Sequence, residues 1–243
     1  MNLFKMLGVK SGIHITKHEA AGRFVPLTQI RDGKELTSFI TEMIPLLHID
    51  PKHVDPIKYI ISELVRNVLE HAQSKNGAIL CAQYYKKSNM IRIGIADTGV
   101  GIKNTISESY RVSDDKEALQ LSLMPGITGT TRREGGTEYN AGAGLFFIRS
   151  IAKVNRDFFM IYSGDALYKL LKNKHNLELN ADPFKDRHSA RQDIPHWQGT
   201  VVGVDISLDT TKEFSTLLEL IRKTYIATVQ ERKKQRYKRP RFI

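Results

Sequence analysis

The sequence has very little cysteine or tryptophan, with one of each among 243 residues. A fold built on disulfides is therefore excluded, and the apolar surroundings of Cys81 predict a buried structural thiol. No apolar run reaches the ~18 residues that a membrane-spanning helix needs, and the N-terminal residues lack the apolar segment and cleavage site of a signal peptide. We therefore expect a soluble cytoplasmic protein, built as one large domain or as one domain with appendages.

Acidic residues are also scarce: 26 Asp and Glu stand against 37 Lys and Arg, which gives a formal net charge of +11. Much of this excess lies in residues 230–243, which contain seven basic residues and one acid. Such a tail fits a solvated segment, a nucleic-acid contact or a contact with an anionic membrane surface. The rest of the chain is only mildly basic, which is compatible with a small anionic ligand.

One helix organises the middle of the sequence. Asp55 as N-cap and Pro56 at the first helical position predict its start, and Asn76-Gly77 predicts its end. Apolar residues recur at helical spacing along one side: Ile57, Ile60, Ile61, Leu64, Val65, Val68, Leu69 and Ala72. The opposite side carries Glu63, Asn67, Glu70 and His71. This polar face is either simply solvated or part of a site.

Strand and helix patterns surround this helix. Two strand-like runs, Ala78–Tyr85 and Met90–Ala96, predict an antiparallel hairpin. Pro45 is expected to bend or end an earlier helix. Further strands are predicted at Gly12–Thr16, Arg23–Leu27, Arg156–Tyr162 and Thr200–Leu208, and further helices at Gly33–Leu47, Asp114–Leu123, from Leu145 onward and at Thr211–Gln230. The polar segment between the last two strands is interpreted as an insertion with no assigned function.

Glycine is concentrated around two turns. Asp97-Thr98-Gly99-Val100-Gly101 follows the second hairpin strand, so it predicts a turn whose backbone approaches a ligand while Asp97 offers an acceptor. Residues 103–141 form a long segment whose C-terminal part is rich in glycine. We interpret this segment as a lid. Gly142-Ala143-Gly144 then opens a helix, whose free N–H groups favour an anion. Each motif alone has an ordinary alternative, a glycine turn or a flexible helix start.

The order and spacing of these motifs resemble the GHKL ATPase superfamily over roughly residues 35–208. The resemblance implies an α+β fold of the Bergerat type, a two-layer sandwich with a mixed, mostly antiparallel sheet and helices on one face. It also implies an ATP-binding domain over residues 34–208, with the lid at 103–141 and an insertion at 163–198. Residues 1–33 are then an N-terminal extension with strands, and 209–243 a helix and basic tail.

The resemblance also implies a role for each matching residue, with ATP and Mg²⁺ as cofactors. Asn67 matches the magnesium-ligating asparagine, and Glu63 the general base. Asp97 matches the aspartate that accepts a hydrogen bond from the adenine amino group, which Thr200 supports. The two glycine boxes are matched by Gly99, Gly101, Gly142 and Gly144, and His71 and Ala143 complete the expected nucleotide contacts. Arg132 and Arg133 are candidate lid cations.

The segment SELVRNVLEHA is most similar to the corresponding segment of anti-sigma-factor serine kinases and related stand-alone domains. The resemblance therefore implies a serine/threonine kinase acting on a protein partner. The alternative is a slow ATPase, or a nucleotide-sensing module that controls a partner without phosphorylating it. A homodimer is left open, and nucleic-acid binding through residues 230–243 is a less favoured alternative.

Overall fold

A computed structural model describes residues 19–129, 142–172, 178–209 and 213–236 of the chain. Several sequence predictions fall outside these ranges. They are the strand at Gly12–Thr16, the lid cations Arg132 and Arg133, most of the glycine-rich part of the lid, and residues 237–243 of the basic tail.

The fold is built on one seven-stranded sheet with the order β1-β2-β3-β7-β4-β5-β6. The strands are β1 Phe24–Ile30, β2 Ala78–Tyr85, β3 Met90–Ala96, β4 Phe159–Gly164, β5 Ala166–Leu170, β6 His188–Arg191 and β7 Trp197–Ser207. The predicted hairpin is confirmed as β2 and β3. Every pairing between these strands is antiparallel, so the sheet is antiparallel rather than mixed.

The described residues form six α-helices beside the sheet. They are α1 Gly33–Ser38, α2 Val54–Asn67, α3 Gly101–Ser107, α4 Asp115–Ser122, α5 Gly144–Asn155 and α6 Phe214–Arg236. α1 continues as a π-helical turn at Phe39–Met43 and a 3-10 turn at Pro45–Leu47, so the regular helix ends at Ser38, before Pro45, and the helical geometry changes again at Pro45. α2 continues as a π-helical turn at Val68–Ala72. None of the described helices is long and apolar enough to cross a membrane.

The side chains of each strand alternate between the two faces of the sheet. The helices pack on one of these faces. On the inner face, Leu80, Ile93 and Val204 are buried in a core shared with the helices. On the outer face, Cys81 of β2 lies opposite Gly94 of β3 and is only half-buried, so the prediction of a buried thiol was wrong. The predicted α+β sandwich with helices on one face is confirmed.

Two helix boundaries differ from the predictions. α2 begins at Val54 with His53 at the N-cap position, so Asp55 lies within the first turn instead of capping the helix. A 3-10 turn at Pro51–His53 leads directly into the helix and starts it earlier. At the other end, Gln73 adopts a left-handed conformation after Ala72, so the helical segment ends before Asn76-Gly77.

The predicted insertion is part of the sheet. It contributes β5 and β6, which pair antiparallel beyond β4. A buried ion cluster fastens this segment to α5: Asp186 accepts from Arg149 and from Lys153 at 2.9 Å each. The alternation of buried and half-buried residues in β5 is short and lies within a mainly polar stretch. The sequence therefore did not predict this strand.

The C-terminal helix docks on its own domain. Leu217 and Ile221 of α6 belong to the core, and the ring of Tyr225 lies 6.0 Å from the ring of Phe147 on α5. The predicted amphipathic stripe of this helix is therefore covered by the domain itself.

Candidate functional site

A cavity of about 330 Å³ opens between α2, the turn after β3, the start of α5 and the first half of β7. Its size is in the range of small-molecule sites. The lining includes Glu63, Asn67, His71, Asp97, Gly101, Gly142, Ala143, Gly144 and Thr200. The structure therefore brings together residues that lie up to 137 positions apart in the sequence. Gly99 is the one predicted site residue outside the lining.

The polar face of α2 forms one wall. Glu63 and Asn67 are one turn apart and both line the cavity. The guanidinium of Arg66 lies 3.7 Å from Glu63 and 3.1 Å from Glu70. Burial raises the pKa of Glu63, while Arg66 lowers it and Glu70 raises it further. The wall thus holds a carboxylate whose affinity for a proton is enhanced by its surroundings.

The side-chain amide of Asn67 also lies in this wall. Its side-chain nitrogen is buried and has no hydrogen-bond partner among the described residues. Buried amide groups are normally paired, so a lone one at a cavity wall indicates a group kept for a ligand. Because amide oxygen and nitrogen are exchanged by a rotation, the same side chain can present its oxygen to a hard cation.

Asp97 lies at the far end of the cavity, where β3 meets the following turn. The residue is 2% exposed, and its Oδ1 accepts from the backbone N–H of Gly99 at 2.8 Å. Its own backbone pairs with Thr200 of β7, with Asp97 N donating to Thr200 O at 2.9 Å. Burial raises the pKa of Asp97, and the backbone hydrogen bonds from Gly99 and Thr200 partly offset this. The carboxylate is therefore fixed by its own turn.

Gly99 holds the turn against α2. A β-carbon there would lie 1.9 Å from the carbonyl oxygen of Ala72, and the next residue, Val100, donates to the same oxygen at 2.8 Å. Only glycine permits this approach. Gly99 therefore shapes the cavity without lining it.

The N-terminus of α5 meets the cavity at Glu63, whereas the turn after Asp97 packs at Ala72, nine residues further along the same helical segment, so the two lie at opposite ends. Gly142 has a φ of +61°, and its carbonyl accepts from Gly126 N at 3.0 Å. The first backbone N–H groups of α5 lack helical partners and carry the positive end of the helix dipole. A β-carbon on Gly144 would lie 2.7 Å from Glu63 Oε2, so the carboxylate of α2 sits directly against this helix start.

Three contributors to the site were not predicted. Tyr59 lines the cavity one turn before Glu63, and burial with the nearby Glu63 charge raises its pKa. Trp197 donates from Nε1 to Asp97 O at 3.1 Å, across 100 residues of sequence. Ser163, 1% exposed, connects three backbone segments behind the cavity. Tyr59 follows the spacing of the α2 polar face, whereas no local pattern marks Trp197 or Ser163.

Comparison with known proteins gives no assignment: no family model matches the chain, and no curated protein matches it significantly. Within the described ranges, no group of three or more His, Cys, Asp or Glu side chains could hold a metal ion. A metal at this cavity would therefore take most of its ligands from a bound molecule and water, which is the usual behaviour of Mg²⁺. The amide of Asn67 fits such a site.

Proposed function

We propose that the cavity binds Mg-ATP and that the chain is an ATP-binding domain of the GHKL type. The observation that carries the proposal is the arrangement of opposite chemistries in one cavity: a buried acceptor, Asp97, at one end and the N-terminus of α5 at the other. A purine with an amino group and a chain of phosphates has the matching polarity. Motif order and this geometry support the same ligand.

Each residue then has a task. Asp97 and Thr200 orient the base, and the first N–H groups of α5 bind phosphate oxygens. The amide of Asn67 would hold Mg²⁺, which when bound supplies charge neutralisation at the phosphates. Glu63 lies on the same face as Asn67 and accepts the proton of the attacking hydroxyl or water.

The reaction we favour is transfer of the γ-phosphoryl group to a serine or threonine of a protein partner. Glu63 supports it, because its side chain is 26% exposed and can be reached from the mouth of the cavity. A raised pKa suits a base that must take up a proton during the reaction. The single cysteine supports action in the cytoplasm, where thiols stay reduced.

A second candidate function is an ATP-dependent switch that controls a partner without phosphorylating it. It is favoured by α6, which contacts one lining residue of the cavity, Tyr59, and two segments that adjoin the lining. Phe214 packs 5.9 Å from Tyr59, Tyr225 packs on α5, and Arg232 donates to Pro125 O at 2.8 Å. Pro125 lies two residues before the lining residue Ile127, and in this candidate function nucleotide binding would act on α6 through these contacts.

The test is incubation with γ-labelled Mg-ATP and measurement of binding, phosphate release and protein labelling. Asn67→Ala should lose binding, because the cation loses its protein ligand. Glu63→Gln should bind but neither release nor transfer phosphate. Glu219→Gln, a charge change at an exposed position of α6, is the control and should retain both. Labelled protein indicates the kinase, and free phosphate alone indicates the switch; a wild type that does not bind ATP overturns the proposal.

A further inference from the structure

We propose that Ser163 determines base selectivity by directing the hydroxyl hydrogen of Thr200 away from the cavity. Ser163 is thus a positioning residue, which acts on the ligand only through Thr200. The inference rests on the proposed function, because it concerns the base of a nucleotide bound in the same cavity.

The hydrogen bonds of Ser163 have directions that chemistry fixes. Its hydroxyl has one hydrogen to donate and can accept two. The backbone nitrogen of Ile102, at 3.0 Å, can only donate, so Ser163 accepts there. The carbonyl oxygen of Gly199, at 2.8 Å, can only accept, so the one hydrogen of Ser163 is used there.

Thr200 must therefore be the donor in its contact with Ser163. Its Oγ1 lies 3.4 Å from Ser163 Oγ, which makes a long and weak hydrogen bond, and Ser163 has no second hydrogen to offer. While this bond is made, the hydrogen of Thr200 points away from any ligand. What Thr200 presents to the cavity is a lone pair, that is, an acceptor.

This orientation gives the far end of the cavity a single polarity. The carboxylate of Asp97 is an acceptor, and the hydroxyl of Thr200 becomes a second one. A base with an exocyclic amino group supplies the required hydrogens. A base with a carbonyl at that position meets two acceptors and leaves buried groups unpaired, which is strongly unfavourable.

The burial of Ser163 preserves the arrangement. The residue is 1% exposed and joins β4 to the start of α3 through Ile102 and to β7 through Gly199. Water therefore has little access to its hydroxyl and does not replace Thr200 as a partner. In the Ser163→Ala variant the hydroxyl of Thr200 is free to turn and donate into the cavity.

The test compares ATP with ITP on the full chain. The two nucleotides differ at the base, where ITP carries a carbonyl in place of the amino group of ATP and an N1–H in place of its unprotonated N1. Wild type should bind ATP at least about tenfold more tightly than ITP. Ser163→Ala should reduce this ratio by about three- to tenfold, mainly through tighter ITP binding, because one acceptor becomes a donor.

Two further variants separate positioning from a loss of structure. In a Thr200→Val background, Ser163→Ala should leave the ATP/ITP ratio unchanged, because the hydroxyl it directs is gone. Ser150→Ala removes another fully buried hydroxyl, on α5, and should not change the ratio. If Ser163→Ala does not fold, Ser163→Cys keeps most of the volume with a much weaker hydrogen-bonding group and should reduce the ratio in the same direction.

The outcomes distinguish this inference from the proposed function. A Ser163→Ala variant that weakens ATP and ITP equally makes Ser163 purely structural and overturns the inference. A wild type that binds both nucleotides equally also overturns it, but leaves ATP binding in place. A wild type that binds neither nucleotide overturns both.

Discussion

The carboxylate of Glu63 and the backbone of Gly144 are in close contact, although they belong to different helices. A β-carbon on Gly144 would lie 2.7 Å from Glu63 Oε2. This contact places a negative side chain beside the positive end of α5. Phosphates entering the cavity would therefore compete with Glu63 for the same helix start.

The first prediction is that Gly144→Ala weakens nucleotide binding by at least about tenfold. The added methyl group occupies space at the start of α5 and forces the Glu63 carboxylate to move, in the region where the phosphates are expected. Isothermal titration calorimetry with Mg-ATP measures the effect. The control is Gly33→Ala at the start of α1, where a β-carbon has no described heavy atom within 4 Å. Unchanged affinity of Gly144→Ala would show that the phosphates lie elsewhere.

The second prediction concerns pH. Burial raises the pKa of Glu63, Arg66 lowers it and Glu70 raises it. A general base works only when deprotonated, so turnover should rise with pH through this raised pKa. Arg66→Gln should move the rise to higher pH, and Glu70→Gln should move it to lower pH.

Both shifts should be small, because Arg66 and Glu70 are 50% and 43% exposed and solvent screens their charges. The measurement is a pH profile of kcat for the three proteins. Shifts in the same direction for both variants would contradict the assigned electrostatics, and a profile independent of pH would exclude Glu63 as the base.

The main elements were predictable because their patterns are local. The hairpin strands β2 and β3 have the predicted bounds, since both alternate and a short turn joins them. The polar face of α2 was visible as a helical spacing, and the structure places it on the cavity. These features depend on neighbours within a few residues.

The missed features depend on contacts between distant segments. Ser163 and Trp197 reach the site only because β4 and β7 are adjacent in the sheet. Gly99 belonged to a correctly located motif, but its contact with Ala72 cannot be read from spacing. The two strands of the presumed insertion were hidden by their polar surroundings. Sequence patterns thus identified the walls of the cavity but not the bonds that join them.

The third prediction concerns Asp157, which precedes β4 and accepts from Ser207 N at 3.0 Å. Burial, with the nearby Asp205 charge, raises its pKa to about 6. The folded protein therefore binds this proton more tightly than the unfolded chain, whose aspartates titrate near 3.9. The contribution to the free energy of unfolding is favourable below about pH 4 and is lost as pH rises through about 6.

Asp157→Asn keeps an oxygen acceptor for Ser207 and removes the charge. It should raise the free energy of unfolding at pH 7 by about 2–3 kcal/mol. At pH 4 the two proteins should be nearly equally stable. Urea unfolding at both pH values checks this. The other carboxylates contribute equally in the two proteins, so their contributions cancel in the difference between the two free energies of unfolding. A variant less stable than wild type at pH 7 would show that Asp157 is charged and well paired there.

The last prediction concerns the cluster that fastens α5 to the segment before β6. Asp186 accepts from both Arg149 and Lys153, whose side chains are 0% and 5% exposed. Asp186→Ala leaves two buried cations without their carboxylate, which should lower the free energy of unfolding by about 3–5 kcal/mol. The matched control, Glu219→Ala, breaks the exposed pair with Lys223 and should change it by less than about 0.5 kcal/mol. Because α5 carries Gly144 at its start, Asp186→Ala should also weaken nucleotide binding under conditions where the variant remains folded. A variant as stable as wild type would mean that α5 is held by its apolar face alone.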